Sequence, residues 1–310
     1  MGTEWKPRVV VIGPGGIKGF AALGFLLPLE EENVLSLTDT YCGVSVGAII
    51  SLLLIVGYSV REIIGHAIDF NIFKSLEDFS IAAILRNKGL LSNESIKSKL
   101  VALIVEKLGS VPTLYGLYLQ TGKSLVTSTL NVTDKESVIM SYATHANVSC
   151  IDAVMFSINI PLVFYQLHYN NKTLVDGALG NPYPTDYFDD GNTDILGIHM
   201  DTPTDMDTNV EITEATLYKY LYNLIHAIID QRRISIIRQS STRCRHVCLK
   251  VNHNAFLGGI DLSDKSNMLL CGFNHGKRFC STPYVPLIVP SYGKYIYPPY
   301  YMRDDDTTST

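Results

Sequence analysis

Gly43-Val44-Ser45-Val46-Gly47 is a G-x-S-x-G pentapeptide lying between a short apolar run and a longer one. In such a setting the serine occupies a sharp strand-to-helix turn that lifts its hydroxyl clear of the backbone. The flanking glycines, Gly43 and Gly47, remove side chains that would strike the adjoining strand and helix. The chemistry that suits this geometry is nucleophilic attack on an acyl carbon. A serine alkoxide is not available at neutral pH, so the hydroxyl needs a base, and the developing oxyanion needs donors.

Donors are offered by a second cluster, Gly13-Pro14-Gly15-Gly16-Ile17-Lys18-Gly19. It departs from the dinucleotide pattern G-x-G-x-x-G, because position 18 is Lys, and it lacks the P-loop pattern. What remains is a loop at a helix N-terminus, whose backbone N–H groups can converge on one anionic oxygen. Pro14 has no N–H, which leaves Gly15, Gly16 and Ile17. Lys18 either adds positive potential near a phosphate or the oxyanion, or simply stands in solvent.

A base is offered by Asp176, in Leu174-Val175-Asp176-Gly177-Ala178 at the end of an apolar strand. An aspartate before glycine is also a common turn residue. The late histidines His199, His226, His246, His253 and His275 lie in no recognisable loop motif.

Taken together, Gly15-Gly16-Ile17-Lys18-Gly19, Gly43-Val44-Ser45-Val46-Gly47-Ala48 and Asp176-Gly177-Ala178 resemble, in order and rough spacing, the three signatures of the patatin-like phospholipases. Ser157-Ile158-Asn159-Ile160-Pro161-Leu162-Val163-Phe164 is similar to the segment that family carries shortly before its aspartate. The likeness runs from Val9 to Pro184, and loosely over Ile260 to Gly272. It implies a lipid acyl hydrolase with a Ser45–Asp176 dyad and no histidine, a Gly15/Gly16/Ile17 oxyanion hole, no metal and no cofactor. Its partner would be a phospholipid or another acyl-ester lipid, met at a membrane surface. Pro14 stands where the family has glycine, and Ala178 replaces the second glycine of Asp-Gly-Gly. Neither change removes a reactive group. Two other readings remain compatible with the residues: a Ser-His-Asp esterase, and an inactive lipid-binding or scaffold protein that kept the fold.

At an unperturbed pKa of about 3.9 an aspartate is a feeble base toward a serine hydroxyl, so the elements must hold the two groups together. Val9 to Ile12 reads as a buried strand, with a helix from about Gly19 to Glu30 that Pro28 bends or ends. Thr40 to Gly43 is a second strand. Val46 to Val56, apolar on all sides, is a core helix. Ser59 to Phe70 and Ser92 to Leu108 read as amphipathic helices, the latter capped by Ser92. Strands follow at 123–133, 137–140, 173–175, 194–199 and 246–251. A helix lies near 151–158, and a long one spans 213–238 with Leu217, Leu221, Leu224 and Ile228 turned inward. This alternation predicts an α/β fold, a three-layer α/β/α sandwich around a mostly parallel sheet. Residues 1–282 form that domain. Residues 283–310 form an extended arm and acidic tail, since Pro283 to Met302 holds six of the 18 tyrosines and five of the 13 prolines.

Composition narrows the setting. At 46% hydrophobic and 18% charged residues, the chain is well away from disorder. Its net charge of −5, with no basic stretch, argues against nucleic acid and makes any membrane contact apolar rather than polybasic. Val46 to Val56 falls short of the ~20 apolar residues a membrane span needs. Val9 to Ile12 is too short for a secretory signal. A cytoplasmic, peripherally membrane-associated chain with reduced cysteines is therefore expected. Cys244, Cys248, Cys271 and Cys280, with His246 and His275, match no zinc-finger spacing.

Overall fold

A computed structural model of the chain describes residues 5–68, 88–201, 214–251 and 261–281. Strand β1 (Val9–Ile12) is fully buried, as a β-branched run with no polar position must be. Val10 and Ile12 face one core, and Val9 and Val11 the other. Beside β1 lie β2 (Thr40–Gly43) and β9 (Ile195–Asp201), both parallel to it. The sheet extends through β10 (Cys244–Lys250) on one side. On the other it continues through β4 (Ser124–Asn131), β8 (Lys172–Asp176) and β7 (Leu167–Tyr169), with β5 (Glu136–Met140) also pairing with β4. Four of its pairings are parallel, and the three involving β5, β8 and β7 are antiparallel. The sheet is mixed, mostly parallel and flanked by helices. A small separate pair joins β3 (Gly89–Leu91) to β6 (Leu162–Phe164).

The pairing around β4 brings two strand ends together. Its residues 127–131 pair with β5, residues 124–127 with β2, and residues 129–131 with β8. A strand has two edges, so β2 and β8 share the edge opposite β5. They run toward each other along it, because one is parallel to β4 and the other antiparallel. Their carboxyl ends meet: Gly43 stands opposite Thr127 and Asp176 opposite Thr129, two residues or about 7 Å apart.

The helices are α1 (Gly19–Glu31), α2 (Val46–Val56), α3 (Val60–Ile68), α4 (Glu94–Leu108), α5 (Leu114–Thr121), α6 (Cys150–Ser157), α7 (Glu214–Gln239) and α8 (Leu262–Ser281). Of the two expectations for Pro28, ending α1 is excluded, because it lies inside the last turn. The cap of α4 is Asn93, one residue later than expected, and Ser92 instead accepts the Glu94 N–H through its hydroxyl. The elements that the sequence pattern did not suggest are α5, α8, β7 and the β3–β6 pair. On α7 the expected inward face is wrong at Leu224 and Ile228, which are exposed. The buried positions there are Ile229, Arg233 and Ile236. The Pro283–Met302 arm, the tail, His253 and the side chains of Leu217 and Leu221 lie outside the described residues.

Candidate active site

Ser45 ends the β2 turn at φ 56° and ψ −126°, a left-handed backbone that a non-glycine residue adopts only when its surroundings impose it. Those surroundings are specific. A Cβ on Gly47 would run into the Ile12 carbonyl, and one on Gly43 into the backbone of Ala48, so only glycine lets α2 start this close to β1 and β2. The Val44 N–H donates to the Ile12 carbonyl at 3.0 Å, pinning the turn to the end of β1. The Ser45 N–H donates to the buried Ser157 hydroxyl at 3.1 Å.

Asp176 closes β8 as the cap of a short 3-10 turn, Gly177–Leu179, and accepts the Ala178 N–H at 2.8 Å. Gly177 is required because a Cβ there would strike the Ser128 carbonyl. The Asp176 N–H donates to the Asn159 carbonyl at 2.9 Å, and the Asn159 amide donates to the Leu174 carbonyl at 3.0 Å. The segment Ser157–Asn159 thus holds the main-chain N–H groups of both Ser45 and Asp176, one through a side-chain hydroxyl and one through a carbonyl. Sequence reading noted this segment without giving it a task. No local pattern marks a serine at the end of an apolar helix as the acceptor for a group 112 residues away.

The Ser45 side chain stands near enough to the Asp176 carboxyl to favour its anion. Both residues are nearly sealed, at 6% and 3% exposure. Burial pushes the Asp176 carboxyl up to about 6, against the opposing pull of the Ser45 and Ala178 donors. The feeble base expected from an ordinary aspartate is corrected here, since its pKa now lies close to neutrality. No histidine among the described residues contributes to that environment. His199 and His246 instead flank Tyr183, whose hydroxyl bonds His246 Nδ1 at 3.0 Å, and burial holds both imidazoles below their ordinary range.

The glycine loop leaves β1 beside this turn. Gly15 is packed against Met200: a Cβ there would come within 2.8 Å of its Cε. Gly16 sits at φ 53° and opens a 3-10 turn through Lys18. The N–H groups of Gly16 and Ile17 head that turn, where no partner exists within it. The Lys18 N–H is already given to the Gly15 carbonyl at 3.0 Å. The next residue, Gly19, lies against Val46: a Cβ there would stand 2.7 Å from Val46 Cγ2. Lys18 itself is not in solvent. It is buried at 8% exposure, burial lowers its pKa, and Asp201 is the largest opposing influence. Asp201 lies 3.5 Å from Arg233 of α7, which lies 3.0 Å from Asp230. Lys18 therefore faces a partly buried cluster of both signs.

Phe20, Phe25 and Phe164 are buried core side chains. Ile229 of α7 shares one small buried cluster with Val44, which precedes Ser45, and Ala178, two beyond Asp176.

Comparison with known proteins gives the family. The description Patatin-like phospholipase matches residues 10–189, more than half of the chain. "Probable lipid hydrolase 463L" of Invertebrate iridescent virus 6 is 28% identical over 182 residues, 58% of this chain and 62% of that protein. The chain thus spans less than two thirds of that relative. "Uncharacterized protein R571" of Acanthamoeba polyphaga mimivirus is 23% identical over 283 residues, 89% of this chain and 94% of that protein. VipD from Legionella pneumophila is similar in fold, with a TM-score of 0.57 at 13% identity over 88% of this chain and 66% of that one. The matched span contains the glycine loop, the Ser45 turn and Asp176, and the chain belongs to the patatin-like phospholipase family.

Proposed function

We propose that the chain is a lipid acyl hydrolase of the phospholipase A type, working through Ser45 and Asp176. The observation that carries this reading is Ser45 on a strained turn next to a glycine loop, with its side chain lowering the pKa of the buried Asp176 carboxyl. The lipid-hydrolase name of the iridescent-virus relative supports the substrate class.

Ser45 Oγ attacks the ester carbonyl as Asp176 takes its proton, so no free alkoxide forms. The carbonyl oxygen becomes an oxyanion held by the N–H groups of Gly15, Gly16 and Ile17, where loss of one donor typically costs ~2.7–4 kcal/mol. Collapse expels the alcohol, which receives the proton from Asp176, and leaves an acyl-serine. Water then attacks that ester with Asp176 again as base, releasing the fatty acid and restoring Ser45. A pKa near 6 suits this double duty, because the carboxyl is ionised at neutral pH and still basic enough to accept a proton.

The test is mass analysis of products from a mixed phospholipid extract. The intact chain should release fatty acid and the matching lysolipid, and Ser45→Ala neither. Equal release by both proteins would overturn the reading. Asp176→Asn distinguishes the dyad from a triad: it should abolish release, while replacing His199, His226, His246, His253 or His275 one at a time should not.

A further inference from the structure

One face of α7 lies against the supports of all three pieces of the Ser45 site. Ile229 belongs to the small buried cluster that contains Val44, which precedes Ser45, and Ala178, two beyond Asp176. Arg233 follows four residues later on the same face of the helix, about 6 Å away. Its side chain is only 9% exposed, and its Nη2 lies 3.5 Å from the Asp201 carboxylate and 3.0 Å from that of Asp230. A guanidinium so placed fixes both carboxylates, because removing it leaves them without that cation in a partly buried setting.

Asp201 carries this hold to the glycine loop. It ends β9, which runs parallel to β1 and therefore finishes beside the loop that leaves β1. Contacts tie the two together. The Gly13 N–H donates to the Ile198 carbonyl at 2.9 Å, and Gly15 is packed so closely on Met200 that a Cβ there would come within 2.8 Å of its Cε. Lys18 closes the 3-10 turn of the loop; burial lowers its pKa, and Asp201 is the largest influence opposing that fall. The last residues of β9 are thus the bed of the glycine loop. Donors in such a loop must be held closely, since about 1 Å of misplacement can cost about 10²-fold in rate.

We infer that Arg233 is a positioning residue for hydrolysis: by clamping Asp201, and with it the end of β9, to α7, it keeps the glycine loop in register with Ser45. The inference rests on the lipid-hydrolase reading, so turnover and loop order are measured separately. On a dispersed short-chain ester, Arg233→Met in the full chain should lower kcat about tenfold to a hundredfold with KM little changed. The rise of rate with pH should keep its midpoint near 6, because Asp176 has not moved. Both carboxylates meet one nitrogen, so a lysine ammonium can stand in, and Arg233→Lys should recover most of the lost rate. Arg232→Met, at an exposed arginine on the same helix, should leave kcat as it is. Hydrogen exchange read by mass spectrometry needs no catalysis. In Arg233→Met the peptide covering Gly13 to Gly19 should exchange faster, and the one covering Thr40 to Gly43 should not.

A folded Arg233→Met with the parent's kcat overturns the inference. So does a fall in kcat with a shifted pH midpoint, which assigns the effect to Asp176, and so does exchange that quickens equally along the chain, which makes Arg233 a stabilising residue only. If Arg233→Met does not fold, Arg233→Met/Asp230→Asn, which removes one charge of each sign, is read in the same way. An intact chain that hydrolyses no ester counts against the hydrolase reading. Exchange then decides alone: a faster loop upholds the clamp, and an unchanged one overturns it.

Discussion

Asp176 has the most legible consequence of any single residue. Its folded pKa of about 6 lies above the ordinary 3.8 because burial disfavours the anion. Hydrolysis should therefore climb with pH and level off above about 6, as the carboxylate form fills. Stability runs the other way. The folded state binds the proton more tightly than the unfolded chain, so this contribution is complete below about pH 4 and is lost as pH rises through 6. Asp176→Asn should remove that slope and leave an inactive protein up to about 3 kcal/mol more stable than the parent at pH 8, read by urea unfolding. Ser157 is the second test. Ser157→Ala strands the buried Ser45 N–H at a cost of ~1–3 kcal/mol. It should lower kcat more than it raises KM, and Ser157→Thr should restore the rate. Ser45 was legible because its glycines announce a turn. Ser157 was not, because an acceptor hydroxyl within an apolar stretch looks like any small core residue.

At the scale of elements, the glycines of the two turns should separate by mechanism. Gly47→Ala drives a methyl into the Ile12 backbone. It should cost ~1–3 kcal/mol or more by overpacking, seen as a fall in Tm together with loss of activity. Gly16→Ala meets nothing within 4 Å but must hold φ 53°, a cost of ~1–2 kcal/mol that the chain escapes by moving the loop. Its Tm should change little while kcat falls steeply. The early strands and α2 were readable because their apolar runs are unbroken and bounded by glycine. Helix α8 was not, since it meets α1 through Gly24, Gly272 and Gly276, where backbones approach and no apolar stripe is needed. The outward face of α7 misled for a related reason: periodicity reports that a face is apolar, not what it is apolar toward.

At the scale of the whole molecule, alternation of strands and helices made the layered α/β architecture legible, but nothing local predicts that β8 turns antiparallel. That reversal brings the carboxyl end of β8 against that of β2, and so joins residues 131 positions apart. On the proposed mechanism, the antiparallel pairing is what lets the carboxylate serve the serine without a histidine between them. The most direct measurement is peptide mapping of the full chain after reaction with a lipid-like fluorophosphonate in the presence of micelles. The account predicts a single adduct, on Ser45, that forms with a pH midpoint near 6 and fails to form in folded Asp176→Asn. A folded protein that hydrolyses ester while its adduct lies on another residue, or while Ser45 stays unlabelled, would contradict it.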